Sequence, residues 1–196
     1  MLEKEFISAV RDFAIKNSEK DDIHGFPHVE RVYNMCVQIG NELNANLLVL
    51  KISALLHDIG RIKERTDELG RNHAEISAEM TVNFLNSCDF KLSQKEVNNI
   101  IRCIKSHSFS NNIAPETIEA KILSDADKLD AIGAIGLYRT IGFTVQNKGD
   151  VDRVIEHLEN KIIKLKDLVY LDSSKKIAER RQRIILEFYN QIRKEK

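Results

Sequence analysis

Apolar residues recur at three- and four-residue spacing along almost the whole chain, and no stretch alternates convincingly with period two. Such a chain must fold as packed amphipathic helices, because each helix has one stripe to bury. Only 2 prolines and 8 glycines break the pattern in 196 residues. The spacing predicts helices over roughly 2–17, 27–43, 46–59, 72–87, 93–107, 116–131, 134–141, 148–169 and 174–194. Gly60 follows "ISALLHDI", where a left-handed cap is wanted. Ser93 and Glu96 form a capping box, and Pro115 falls at the first turn of a further helix. The charged stretch Arg61–Asn72 reads as a loop over a site. With no linker rich in Pro, Gly or Ser, the expected fold is all-α. It is one helical domain over 1–196, with a core at about 20–145 and the helices of 148–194 packed on it.

Composition narrows the partners. Apolar residues make up 42% and charged residues 31%, as in a globular chain, and 30 basic side chains balance 30 acidic ones. A dedicated nucleic-acid binder carries a basic excess, so no nucleic acid is expected. Cys36, Cys88 and Cys103 are widely spaced, lack a C-x-x-C pair and read as small buried hydrophobes. The most apolar run, "LLVLKISALL", is too short to cross a bilayer, and "MLEKEFISAV" lacks a signal-peptide core. The expectation is a cytoplasmic protein without a membrane partner. Ile155, Leu158, Ile162, Leu165 and Val169 follow a 3-4-3-4 spacing that serves either core packing or a dimer seam, with packing favoured. Monomer and homodimer both stay open. Ile184, Phe188 and Ile192 mark the expected inner face of the last helix.

The informative residues are polar ones on faces that should be buried. His28 begins the stripe Val32, Met35, Ile39, and His24 lies one turn earlier. His57 and Asp58 flank the stripe Leu48, Ile52, Leu55, Ile59 at its last turn, where two side chains can converge just beyond a helix end. Asp127 and Asp130 align with Leu123, and His107 ends the stripe Ile100, Ile104. His73 opens a helix beside the charged loop, which leaves His157 alone on a face that reads as solvated. One histidine at the edge of a stripe is more often a hydrogen-bonded core residue than a ligand. For His24, His73 and His107 taken singly the two readings stand about even. His28, His57, Asp58 and Asp127 together are different, because buried carboxylates and imidazoles need a common partner. A divalent cation satisfies this mixed N/O set, and no cysteine points to a structural zinc site.

These residues, in this order, resemble the HD-domain superfamily of metal-dependent phosphohydrolases. The pattern is His28 in "HVERV", His57-Asp58 in "ALLHDIG", and Asp127 in "SDADKLDAIGA". With "HAEISAE" and "IAERRQRIILEFY", the resemblance covers nearly the whole chain and is similar to a subgroup of small bacterial and archaeal HD hydrolases, some linked to nucleotide pyrophosphate hydrolysis. It implies one divalent ion, with Mn or Mg favoured over Co, Ni, Fe or Zn, held by His28, His57, Asp58 and Asp127. It implies attack of a metal-activated water on a phosphoester or phosphoanhydride, with a nucleotide as the favoured substrate. Asp58 would orient or deprotonate that water, and Lys128 and Arg61 would balance phosphate charge. His24, His73 and His107 would contact phosphate or move protons, and Asp130 would orient His28 or Lys128. The rival expectation is a non-catalytic HD module that binds a nucleotide as a regulator. A plain helical scaffold is the second rival, and it would hold no stoichiometric ion.

Overall fold

The computed structural model describes residues 2–108 and 111–196. Among them there is no strand, only an isolated bridge between Glu19 and Gly25. The fold is all-α, as the spacing predicts. The chain divides into two compact units, Met1–Ser124 and Asp125–Lys196.

The first unit contains α1 (Glu3–Asn17), α2 (Phe26–Glu42), α3 (Leu47–Leu56), the single turn α4 (Arg61–Glu64), α5 (His73–Ser87), α6 (Gln94–His107) and the start of α7 (Ile118–Asp130). Helix α3 is its axis, packed by α1, α2, α5 and α6. Val49, Leu50, Ile52, Ala54, Leu55 and Leu56 are nearly inaccessible, as in a helix packed against several others, while Lys51 stays half-buried beside Glu3. Asn46 starts α3 by accepting from the N–H groups of Leu48 and Val49. Stacked rings, Phe6 on Phe90 at 4.2 Å and Phe13 on Phe84 at 4.3 Å, fasten α1 to α5 and the segment after it.

The second unit holds the end of α7, then α8 (Gly133–Gln146), α9 (Val151–Asn160), a 3-10 helix (Ile162–Leu168) and α10 (Asp172–Glu195). One long helix over 148–169 is thus replaced by two shorter pieces that meet at Lys161 (φ −130°, ψ −62°). Leu158, Ile162, Leu165 and Val169 are buried within the unit, so packing claims these residues of the 3-4-3-4 stripe. Helix α10 is rotated from expectation. Its inner face is Ser174, Ala178, Gln182 and Ile185, with Gln182 Nε2 donating to Ile163 O at 3.0 Å, while Ile184 is 43% exposed. A glutamine able to cap a 3-10 carbonyl wins the inside position.

Two local readings also change. Pro115 precedes α7 by three residues, and Thr117 starts the helix instead, its Oγ1 accepting from Ala120 N–H at 3.2 Å. Gly60 is right-handed (φ −84°), not a left-handed cap. Its lack of a side chain serves packing: a Cβ there would meet His73 O at 2.4 Å and Ser77 N at 2.7 Å.

Candidate metal centre

That close approach builds the centre of the first unit. Because Gly60 is bare, α5 presses against the turn after α3, and Gly60 N–H donates to Ser77 Oγ at 2.9 Å. His73, the first residue of α5, is thereby carried to the end of α3. Asn72 caps α5, and Glu64 on α4 accepts from His73 N–H at 2.8 Å. His57 and Asp58 occupy the turn that ends α3, His28 lies in the first turn of α2, and His107 ends α6.

Four imidazoles converge on one carboxylate. Asp58 Oδ2 lies 3.5 Å from His28 Nε2 and 3.6 Å from His57 Nε2, and those two nitrogens are 3.3 Å apart. Asp58 Oδ1 lies 3.4 Å from His107 Nε2 and 3.6 Å from His73 Nε2. All five residues are buried. The carboxylate therefore bridges two triads, His28–His57–Asp58 and Asp58–His73–His107, each compact enough to hold an ion.

The protonation pattern favours cations. His57 Nδ1 is 2.8 Å from Ala54 O and His107 Nδ1 is 2.6 Å from Ile104 O. A carbonyl only accepts, so each ring donates from Nδ1 and, when neutral, presents a lone pair at Nε2. His73 does the same through Glu64 Oε1 at 3.3 Å. Burial pushes the His73 imidazole below its ordinary value, against the pull of the Asp58 charge, which keeps that lone pair bare. Asp58 Oδ1, His73 Nε2 and His107 Nε2 are buried with no hydrogen-bond partner among the described residues. Three orphaned acceptors facing one point are costly unless a cation joins them. Ligand atoms 3.3–3.6 Å apart also suit neighbouring positions around an ion with bonds of about 2.1 Å.

Burial drives the Asp58 carboxyl up, but the Arg61 guanidinium, with Nε 2.5 Å from Oδ2, and the imidazoles of His57, His107 and His28 together outweigh it, and Asp58 stays well below the ordinary carboxylate value. His24 is half-buried, and among the described residues neither triad includes it. His157 is half-buried too, with its ring edge-on to Phe143 at 5.8 Å, so its face is less solvated than its spacing implies.

Asp127, Lys128 and Asp130 belong to the second unit. Asp127 is half-buried on α7. Lys128 is 6% exposed, with Nζ 5.5 Å from the Tyr170 ring centre, and burial lowers its pKa against the pull of Asp127 and Asp125. Asp130 accepts from Arg139 at 2.8 Å in a buried ion pair. Sequence reasoning missed Arg139, although an arginine within "IGLYRTIG" is an inside charge seeking a partner. It also missed Asp125, whose buried carboxylate accepts from Tyr170 and Leu171 N–H at 2.8 and 2.9 Å and so fixes the entry to α10. Glu64 and Ser77, which set His73 and the α5 approach, carried no visible signal.

A helical unit with a His-Asp pair at one helix end and histidines from three other helices around it has the features of HD proteins. The profile of the HD domain family matches residues 25–132, more than half of the chain, and the chain belongs to that family. The uncharacterized protein YpgQ of Bacillus subtilis is 29% identical over 180 residues, 88% of this chain and 84% of its own length. The crystal structure of YpgQ in complex with ADP is similar with a TM-score of 0.76 at 26% identity, covering 100% of this chain and 97% of that one. An HD-superfamily hydrolase from Bacillus thuringiensis is similar with a TM-score of 0.74 at 27% identity, over 99% and 98% of the two chains. No helix among the described residues is long and apolar enough to cross a membrane.

Proposed function

We propose that this chain is a divalent-metal-dependent phosphohydrolase acting on a phosphoester or phosphoanhydride, with a nucleotide as substrate. One observation carries the reading: a single buried carboxylate with both oxygens ringed by imidazole Nε2 atoms. The ADP held by YpgQ supports the nucleotide.

His28, His57 and Asp58 would hold the ion, and Asp127 joins them on the strength of the family pattern. When bound, such an ion supplies Lewis acidity towards a phosphoryl oxygen and lowers the pKa of water towards neutrality. Asp58, kept ionised, orients a water by accepting its hydrogen bond. Lys128 and Arg61 bring positive charge to phosphate oxygens, and Lys128 is desolvated enough for that charge to count. His24, His73 and His107 would serve phosphate contacts and proton transfer. In His73 and His107 the Nε2 lone pair must first take a proton, which then donates to a phosphate oxygen. The whole of 1–196 acts as one HD protein, without nucleic acid or membrane, in the cytoplasm.

A second reading rests on the three orphaned atoms of Asp58, His73 and His107. Bare lone pairs suit a second cation directly, with no proton needed. Metal analysis distinguishes the two, because one ion per chain supports the first reading and two support the second.

The test of function is hydrolysis of a panel of nucleoside mono-, di- and triphosphates and simple phosphoesters with Mn, Mg, Co and Ni. Metal-dependent release of phosphate or pyrophosphate is expected. Binding of nucleotide with no turnover under any metal would overturn the enzyme and leave a nucleotide-binding regulator.

A further inference from the structure

The Asp58 oxygen that faces His28 and His57 has a third neighbour. Arg61 Nε lies 2.5 Å from Oδ2, the same atom that is 3.5 Å from His28 Nε2 and 3.6 Å from His57 Nε2. The contact is local to one turn: Arg61 N–H donates to Asp58 O at 3.1 Å, which directs the guanidinium back over the residue three positions earlier. The Asp58 side chain is 1% exposed and that of Arg61 23% exposed, so the arginine reaches in from the rim.

We propose that Arg61 is a built-in competitor for the metal, holding the ligand oxygen Asp58 Oδ2 and setting the cation affinity of the site below what the ligands alone would give. The inference rests on reading the cluster as a metal centre. An oxygen that accepts a short, charged hydrogen bond from guanidinium has less electron density to offer an ion. A permanent positive charge beside that oxygen also repels any cation bound to it, with little water between them to screen the repulsion. Arginine cannot shed this charge, so the competition persists at every working pH. The same contact gives Asp58 a counter-charge whenever no cation is bound, so the carboxylate is never buried alone. Arg61 therefore trades metal affinity for stability of the unloaded site.

The sign of one substitution decides the matter. A group that merely orients a ligating carboxylate strengthens metal binding, and its removal weakens affinity by about 10- to 100-fold. Removal of a competitor tightens it. Full-length, chelator-stripped protein would be titrated with Mn2+ and the free ion followed by electron paramagnetic resonance. Arg61→Gln should bind Mn2+ about tenfold more tightly than the unmodified chain, and should melt at a lower temperature in EDTA. Unchanged or weaker Mn2+ binding by folded Arg61→Gln overturns the proposal. If that variant does not fold, the unmodified chain provides the answer. The Arg61 Nε–H resonance, assigned in 15N-labelled protein, should shift as Zn2+ is added, because the guanidinium leaves the carboxylate. A resonance that stays fixed while Zn2+ binds overturns it equally. If neither Mn2+ nor Zn2+ binds the unmodified chain, the metal-centre reading itself falls, and this inference with it.

Discussion

Asp58 does two jobs with one carboxylate: Oδ2 faces His28 and His57, and Oδ1 faces His73 and His107. The second pair is open to experiment through His107, whose Nδ1 is committed to Ile104 O and whose Nε2 has no hydrogen-bond partner among the described residues. If His107 contacts phosphate, His107→Ala should raise KM or lower kcat with metal stoichiometry unchanged. If it holds a second cation, the same variant should lose one ion per chain by elemental analysis. Lys128 separates enzyme from regulator. The residue is 6% exposed and its ammonium lies 5.5 Å from the Tyr170 ring centre, so the stem is packed and Lys128→Met keeps most of that packing while removing the charge. In an enzyme that uses the charge in the transition state, kcat should fall by about tenfold or more with a smaller change in nucleotide affinity. Loss of affinity with kcat unchanged would make Lys128 a binding residue only.

At the scale of elements, the centre depends on how closely α5 approaches the end of α3, and Gly60 sets that distance. An alanine is conformationally acceptable at φ −84°, so Gly60→Ala isolates the packing term. Its Cβ would meet backbone atoms of α5 at 2.4 and 2.7 Å, and backbone cannot swing aside as a side-chain tip can. The expected cost is about 1–3 kcal/mol in urea unfolding, with helical circular dichroism retained and Mn2+ affinity reduced as His73 is displaced. A variant with unchanged stability and metal binding would show that α5 shifts freely. This glycine also marks where sequence stops being informative. Periodicity locates α2, α3, α5 and α6 because apolar residues recur along each at helical spacing; His28, His57 and His107 stand out as polar residues at the ends of those stripes, and His73 as the residue that opens α5 beside the charged stretch. The role of Gly60 was misread because a cap and a close approach both call for glycine, and only the neighbouring helix distinguishes them. The break at Lys161 was invisible because an apolar 3-4-3-4 spacing fits a continuous helix and an α-to-3-10 junction alike. The inner face of α10 was misread for a related reason: hydropathy ranks Ile184 above Gln182, but the glutamine has a carbonyl to satisfy.

For the molecule as a whole, the buried cluster is a liability without a cation and an asset with one. A carboxylate oxygen and two imidazole nitrogens are buried with no hydrogen-bond partner among the described residues, each a desolvated group that unfolding would return to water. An ion that binds the folded chain and not the unfolded one stabilises it by mass action, about 2.7 kcal/mol at a concentration one hundred times its dissociation constant. For a chain of 196 residues, each kcal/mol moves the melting temperature by about 2–4 °C, so saturating Mn2+ should raise it by about 5–11 °C. Ca2+ should do less, since imidazole nitrogens suit it poorly. The shift should vanish in Asp58→Ala, which removes the carboxylate common to both triads, and it should shrink in His57→Ala, which spares the second. Both variants should remain helical, because the two residues lie at the end of α3 and leave its apolar positions intact. Scanning calorimetry with and without EDTA reads all of this without any turnover. An Mn2+-induced rise that survives in Asp58→Ala would place the ion elsewhere on the molecule and remove the basis for assigning chemistry to this cluster.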